Sequence, residues 1–380
     1  MMGFTRDEYQ CRLRRVVAAL RQVGFDALIA YSIRNQPGPV AYLAGYEPSL
    51  GIHDMAFLVV TPGARPPCVL ITNAFWDHPA ERTWVDEVII TSEFASKLAE
   101  ALPEAVRRIG IAGYRVFPAP VYRAVQTAFP ATRFDDASAL LMEAAWIKSP
   151  EEVAAIRRCM QITDAGGRAF LESVRSGANE REVQLEVERA IWLAGADDLS
   201  FPTHLYSGPQ VALGIGLTTG RTLGRGEQVQ VDCGAVHRGY RVDFSRVTTV
   251  DTPTREARRI MDATADMYEA MLGAMQPGVP LAELAQVGLA MARQRGLQSC
   301  LYRSPNHPTG FVAHGTGCWQ HEAPHIHPAA VGILQENMTI SLEPILGQPG
   351  AGGAKIADTV LVTAHGAERL SSVGIRTWPA

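Results

Sequence analysis

Residues 229–250 read VQVDCGAVHRGYRVDFSRVTTV, and the fold of the chain turns on how this stretch is taken. Two β-like runs flank His237-Arg238-Gly239. A hairpin centred between His237 and Arg238 would set Asp232 directly opposite Asp243. Directly opposed residues share a face, with Cβ atoms about 4.5–5.5 Å apart. Two carboxylates at that spacing repel, and burial makes the repulsion costly. A divalent cation between them removes the conflict. A solvent-facing hairpin with two surface aspartates would carry the same letters, but Val229, Val231, Val242 and Val250 give the runs an apolar character that full solvation does not suit.

Further donors lie downstream. FVAHGTGCWQHEAPHIHP, residues 311–328, carries His314, His321, His325 and His327. Gly315 and Gly317 beside His314 permit close backbone approach. Imidazole nitrogen is a common ligand for transition metals, although a single His is more often a core or surface residue. In MTISLEPIL, residues 338–346, strand alternation puts Thr339, Ser341 and Glu343 on one face and Met338, Ile340 and Leu342 on the other. Glu343 precedes Pro344 and so stays extended. Asp232, Asp243, His314 and Glu343 then make a set of one nitrogen and three carboxylates, which suits Mn, Fe, Co or Zn better than Cu(I).

The rest of the chain supplies a frame for these segments. Thr5 and Glu8 have capping-box spacing ahead of a helix. DALIAYS, AFLVVT, PCVLIT, EVIIT and RIGIAG then read as strands bounded by turn residues, with a helix near residues 92–102. That alternation makes residues 1–145 an α/β domain. In IKSPEEVAAIRRCM, Ser149 is an N-cap, Pro150 suits the first helical position and Glu152 completes a capping box, which opens a second domain over residues 146–380. Asn179 and Glu182 repeat the pattern. A β-rich stretch over about residues 200–250, helices near 254–275 and 281–296, and strands around His314, Glu343 and Ala357 give this second domain an α+β character.

Composition limits the function. Of 380 residues, 47% are hydrophobic and 19% charged, enough for a sizeable core, and the net charge of −4 lacks the basic stripe a nucleic-acid binder needs. The six cysteines form no C-x-x-C pair, which points to reduced thiols and away from a structural zinc site. No secretory signal and no membrane-length apolar run is visible, so the expected location is the cytoplasm.

Taken in order, the segments resemble the M24 superfamily of methionine aminopeptidases, Xaa-Pro peptidases and creatinase, which share the pita-bread fold. DALIAYSIRN and VAYLAGY resemble the creatinase-type N-terminal domain, and the chain from IKSPEE onward resembles the pita-bread catalytic domain. The Asp-x10-Asp pair, HGTG followed by His321-Glu322-Ala323-Pro324, and Glu343-Pro344 occur in family order. The resemblance implies that Asp232, Asp243, His314 and Glu343 are metal ligands and that His321 contacts substrate or intermediate. Arg246 would support the site by holding a carboxylate, with a place in substrate binding, and His204 is a candidate acid–base group. By analogy with creatinase-like dimers, the loop YEPSLGIHDM brings Tyr46 or His53 to substrate.

Two positions depart from the family pattern. Where family peptidases read roughly I-E-D-T-V-L-V, this chain reads IADTVLV, with Ala357 in place of a glutamate that bridges two metals. Asp358 is next, but alternation turns it to the opposite face. Ile215 stands where family peptidases carry a proton-handling histidine. The resemblance with these departures implies a homodimeric hydrolase that cleaves a C–N bond in a small amide, amidine or dipeptide-like molecule, using one divalent metal and an activated water. Alternatives are a conventional Xaa-Pro peptidase, a metal-dependent or creatinase-like metal-free enzyme of a small metabolite, including a lyase, and a non-catalytic binding protein on the same scaffold.

Overall fold

A computed structural model of the chain describes residues 3–48, 51, 53–303 and 312–379. It divides into two compact units, Met1–Ala145 and Trp146–Ala380. The first opens with helix Arg6–Val23, whose N-cap Thr5 accepts a hydrogen bond from the Glu8 amide. Its six-stranded sheet runs Glu87–Ile90, Cys68–Thr72, Met55–Val60, Ala27–Ile33, Arg108–Ala112, Arg133–Asp136 across its width. The sheet is mixed: Ala27–Ile33 pairs antiparallel with Met55–Val60 and parallel with Arg108–Ala112. Ala27, Ile29 and Tyr31 point to one core with Phe57 and Val59, against Phe94 and Leu98 of the helix Phe94–Ala101.

The second unit is built on one antiparallel sheet. Its strands run in the order Glu322–Ile326, Ala313–Gly315, Thr339–Leu342, Ala357–Thr363, Phe244–Thr249, Gln228–Cys233, His204–Ser207, and Gly366–Arg369 pairs with Ala357–Thr363. Helix Pro150–Ser173 begins at a complete Ser149–Glu152 capping box and Glu180–Leu193 at an Asn179–Glu182 box. These two helices pack together, as do Arg255–Ala274 and Leu281–Gln294. Met338, Ile340 and Leu342 enter a core with Tyr268, Met271 and Leu284 from the second helix pair, so the expected alternation around Glu343 holds.

The central hairpin differs from its expected register. Its turn residues are Arg238 and Gly239, both with positive φ (53° and 80°), and His237 pairs with Tyr240. Such two-residue turns need two left-handed positions, and Gly239 provides the second at no steric cost. The hairpin is therefore centred one residue later than expected, and Asp232 opposes Ser245 instead of Asp243. The two strands are also interrupted near the aspartates. A Cβ at Gly234 would collide with the carbonyl oxygen of Val242, so the backbones there pass closer than any side chain allows.

Candidate metal centre

Two cross-strand rows place the site on one face of the large sheet. His204, Asp232, Ser245 and Ala357 lie side by side on four neighbouring strands. His325, His314, Ser341 and Thr359 form a second row. Position 359 lies two residues beyond 357, so the rows share a face. Asp243 enters just before the strand Phe244–Thr249, where its amide donates to Thr359 Oγ1 at 3.2 Å. Glu343 enters just after Thr339–Leu342, its amide tied to the Val312 carbonyl at 2.8 Å.

Asp243, His314 and Glu343 each offer a donor atom within 4.8 Å of the others, and all three are buried. His314 Nε2 lies 3.5 Å from Asp243 Oδ2 and 3.5 Å from Glu343 Oε1. Nδ1 of the same ring is 2.7 Å from the Gly315 carbonyl, the contact that fixes a ligating imidazole and leaves Nε2 for a metal. Burial alone would lower the His314 pKa, but the carboxylates of Asp243 and Glu343 outweigh it and raise the pKa. Burial also pushes on Asp243, yet the nearby cations hold its carboxyl below the usual range. Asp243 Oδ1 is buried without a hydrogen-bond partner among the described residues. A clustered nitrogen and two carboxylates with one oxygen unsatisfied fit a divalent ion of the Mn, Fe, Co or Zn type.

Asp232 sits at the edge of this cluster and has a different partner. Its Oδ2 accepts from Lys355 Nζ at 2.8 Å, and the same ammonium lies 2.9 Å from Glu343 Oε2. Lys355 ends the short strand Gly352–Lys355 and is buried. Sequence reasoning passed over this lysine. Its signal was a cation two residues before Ala357, inside the otherwise small and apolar run GGAKIA.

The remaining expected site residues fall in several places. His321 is exposed, and its ring stacks on that of His314 with centroids 3.9 Å apart. Its inner ring face, laid on His314, is screened from water, and that screening, with the His314 ring next in weight, presses its pKa below the usual imidazole range. His204 neighbours Asp232 in the first row. Its pKa is also lowered, first by burial and then by Lys355, and its Nδ1 has no hydrogen-bond partner among the described residues.

Arg246 is shut away inside the second unit. It is fully buried, and it donates to both oxygens of Asp358 (2.8 and 3.0 Å) and to the carbonyls of Ser245, Ala357, Val373 and Gly374. Alternation turns Arg246 away from the face that carries Ser245, against the expected substrate contact, and the carboxylate it holds is that of Asp358. Asp358 points away from the site, as alternation required. Tyr46 is also corrected: it is buried within the first unit, its hydroxyl 3.2 Å from Asp77 Oδ2. His53 is exposed on the same unit and its carbonyl accepts from Asn73 Nδ2. Ile215 is half-exposed after the turn Gly208–Leu213.

The glycines of the HGTG segment are accounted for by backbone proximity. A Cβ on Gly315 would press on the Ala323 carbonyl, and one on Gly317 on Glu322 Oε1. Glu322 itself is paired with the buried Lys148 at 2.6 Å. The His321-Glu322 motif is thus tied to the start of the second unit through an ion pair.

Residues 154–364 match the model of metallopeptidase family M24, and residues 12–144 match the creatinase/prolidase N-terminal domain. The chain belongs to metallopeptidase family M24. It is 32% identical over 225 residues to the Xaa-Pro dipeptidase of Pyrococcus furiosus, a match over 59% of this chain and 63% of that relative. The chain thus spans less than two thirds of the length of that relative. The prolidase structure from Pyrococcus horikoshii OT3 superposes with a TM-score of 0.85 at 23% identity, covering 96% of this chain and 99% of that one. The prolidase from Pyrococcus furiosus gives 0.81 at 25% identity, covering 94% and 99%.

Proposed function

We propose that this chain is a metal-dependent hydrolase that cleaves the C–N bond of a small dipeptide-like or amide substrate. The observation that carries the reading is the convergence of Asp243, His314 and Glu343 within 4.8 Å in a buried position. Family membership and the Xaa-Pro dipeptidase relatives support a dipeptide as the first substrate class to examine. Asp243, His314 and Glu343 would hold a divalent ion, which would supply Lewis acidity and activate water near neutral pH.

The chain's own residues do the rest. His321, exposed beside His314, offers a ring nitrogen to the oxygen on which charge builds as the amide is attacked. His204, neutral because burial lowers its pKa, accepts a proton at Nδ1. A homodimer in the cytoplasm is the setting that best suits this reading. Among the described residues, no helix is long and apolar enough to cross a membrane.

The test is turnover in water enriched in oxygen-18, with Mn, Co or Zn added and a panel of Xaa-Pro dipeptides and small amides. One solvent oxygen in the product acid supports hydrolysis. Turnover without solvent oxygen points to elimination. No turnover across the panel, with metal bound, removes the dipeptide and amide reading.

A further inference from the structure

The turn that carries His321 lies outside the strands of the sheet. Strand Ala313–Gly315 ends before it and strand Glu322–Ile326 begins after it, and their pairing shifts register between His314 and Gly315. A buried turn must find partners for its backbone groups, and those partners decide where it sits. Thr339 takes the first residue: its carbonyl accepts from the Thr316 N–H at 3.2 Å, and its hydroxyl donates to the Thr316 carbonyl at 2.6 Å. Arg241 takes the next two. Its N–H donates to the Gly317 carbonyl at 2.7 Å, and its Nη1 donates to the Cys318 carbonyl at 3.2 Å. The Arg241 carbonyl accepts in return from Thr316 Oγ1 at 3.1 Å. The far end of the turn is held separately, by Lys148 on Glu322 and by Ser200 on Gln320.

Arg241 is itself firmly seated. It is buried, and the same Nη1 donates to the Gly239 carbonyl at 3.0 Å, so one nitrogen joins the hairpin turn to the histidine turn. Strand Tyr240–Arg241 pairs with Ala235–His237. Cys159 of the helix Pro150–Ser173 donates from Sγ to the carbonyls of Ala235 (3.0 Å) and Tyr240 (3.4 Å), and the Tyr240 hydroxyl donates to the buried Glu152. Arg241 stands two residues ahead of Asp243, and the turn it grips joins His314 to His321. One arginine therefore sets the segment that brings in Asp243 against the segment that brings in both histidines. The His321 ring rests on His314 with centroids 3.9 Å apart, a contact that a small shift of the turn would open.

We propose that Arg241 is a positioning residue for His321: by holding the Gly317 and Cys318 carbonyls it fixes the turn so that the His321 ring stays stacked on His314 beside the metal centre. The inference rests on the role given above to His321.

Two measurements on the full chain test it. Diethyl pyrocarbonate modifies accessible imidazoles, and peptide mass spectrometry reads the rate at His321. Arg241→Met should raise that rate several-fold as the ring leaves the stack, with the rate at the exposed His53 unchanged. On a dipeptide or amide that the unsubstituted chain turns over, Arg241→Met should lower kcat by roughly tenfold to a hundredfold with KM little changed, the scale of a small misplacement of a reacting group. In a His321→Ala background the same substitution should change kcat by less than about twofold, because residues that act as a unit are not additive. Arg241→Lys, which keeps one donor, should recover part of both effects. An unchanged labelling rate at His321 in Arg241→Met overturns the proposal, and so does a kcat loss as large without His321 as with it. If the unsubstituted chain turns over no substrate, the hydrolase reading falls, while the labelling still decides on Arg241. Circular dichroism checks each variant, and where Arg241→Met does not fold, Arg241→Gln, which is too short to reach Cys318, takes its place with the same expectations.

Discussion

Replacing Arg246 by Met offers a sharp test of how the sheet is held behind the site. The guanidinium and the Asp358 carboxylate are both fully buried, 2.8 Å apart. The same group ties down the carbonyls of Val373 and Gly374, which anchors the final segment of the chain. Arg246→Met removes one partner of a buried pair and leaves the other charge uncompensated, a loss of about 3–5 kcal/mol. At roughly 2–4 °C per kcal/mol for a unit of this size, the melting transition of the second unit should fall by about 6–20 °C.

The loss should also depend on pH. Burial pushes the Asp358 carboxyl above its usual range, although Arg246 and then Arg369 oppose that. A carboxyl whose folded pKa is raised contributes stability that is present below the unfolded pKa and is lost as pH rises through the folded value. Without Arg246 the folded value rises further. The gap between the variant and the parent should therefore narrow as pH falls from 7 toward about 4, near the unfolded Asp pKa. Adding Asp358→Leu should restore much of the loss, because an apolar pair of similar volume needs no compensation. Differential scanning calorimetry at several pH values measures all three chains. A loss below about 1 kcal/mol, the size of an exposed pair, refutes the reasoning. So does a gap that does not change with pH.

Further expectations concern the other tethers of the site. His321→Ala should lower kcat by roughly a hundred- to ten-thousand-fold, the usual contribution of a positioned acid–base group, with metal content unchanged because His321 is outside the three-donor cluster; steady-state kinetics beside elemental analysis will tell. Lys148→Met should cost about 3–5 kcal/mol by stranding Glu322, and adding Glu322→Gln should recover part of it, as read by denaturant unfolding. Gly353→Ala should destabilise by about 1–3 kcal/mol through overpacking against the Val211 carbonyl, and should weaken metal affinity by displacing Lys355.

The sequence was most legible where one residue type has one local job. Ser149 with Glu152, and Asn179 with Glu182, marked two helix starts that the structure repeats. The β-branched runs marked Ala27–Ile33, Met55–Val60 and Cys68–Thr72. Helices Gly38–Ala44 and Ala119–Ala128 escaped, since one is buried over its whole length and the other is short and Pro-led, so neither shows a long amphipathic period. The hairpin register was missed by one residue because the position of a turn depends on which residues accept positive φ, and Arg238 gave no sign of doing so. Tyr46 was misplaced for a related reason: a tyrosine in a loop reads as exposed, while its burial beside Asp77 depends on contacts distant in sequence. Lys355 lay outside the reading because a metal-ligand search counts donors and takes no notice of cations.

The departure at position 357 bears directly on how much metal the centre holds. Position 357 lies in the same cross-strand row as Asp232, two strands away. A glutamate there, as in the family strand, would raise the buried carboxylates from three to four, a charge that two divalent ions match. In this chain the carboxylate is absent and an ammonium lies two residues earlier. Ala357→Glu should therefore raise the metal content of the chain from about one ion toward two, read by elemental analysis after titration with Mn(II). An Ala357→Glu variant that holds no more metal than the unsubstituted chain would show that the missing carboxylate does not set the count.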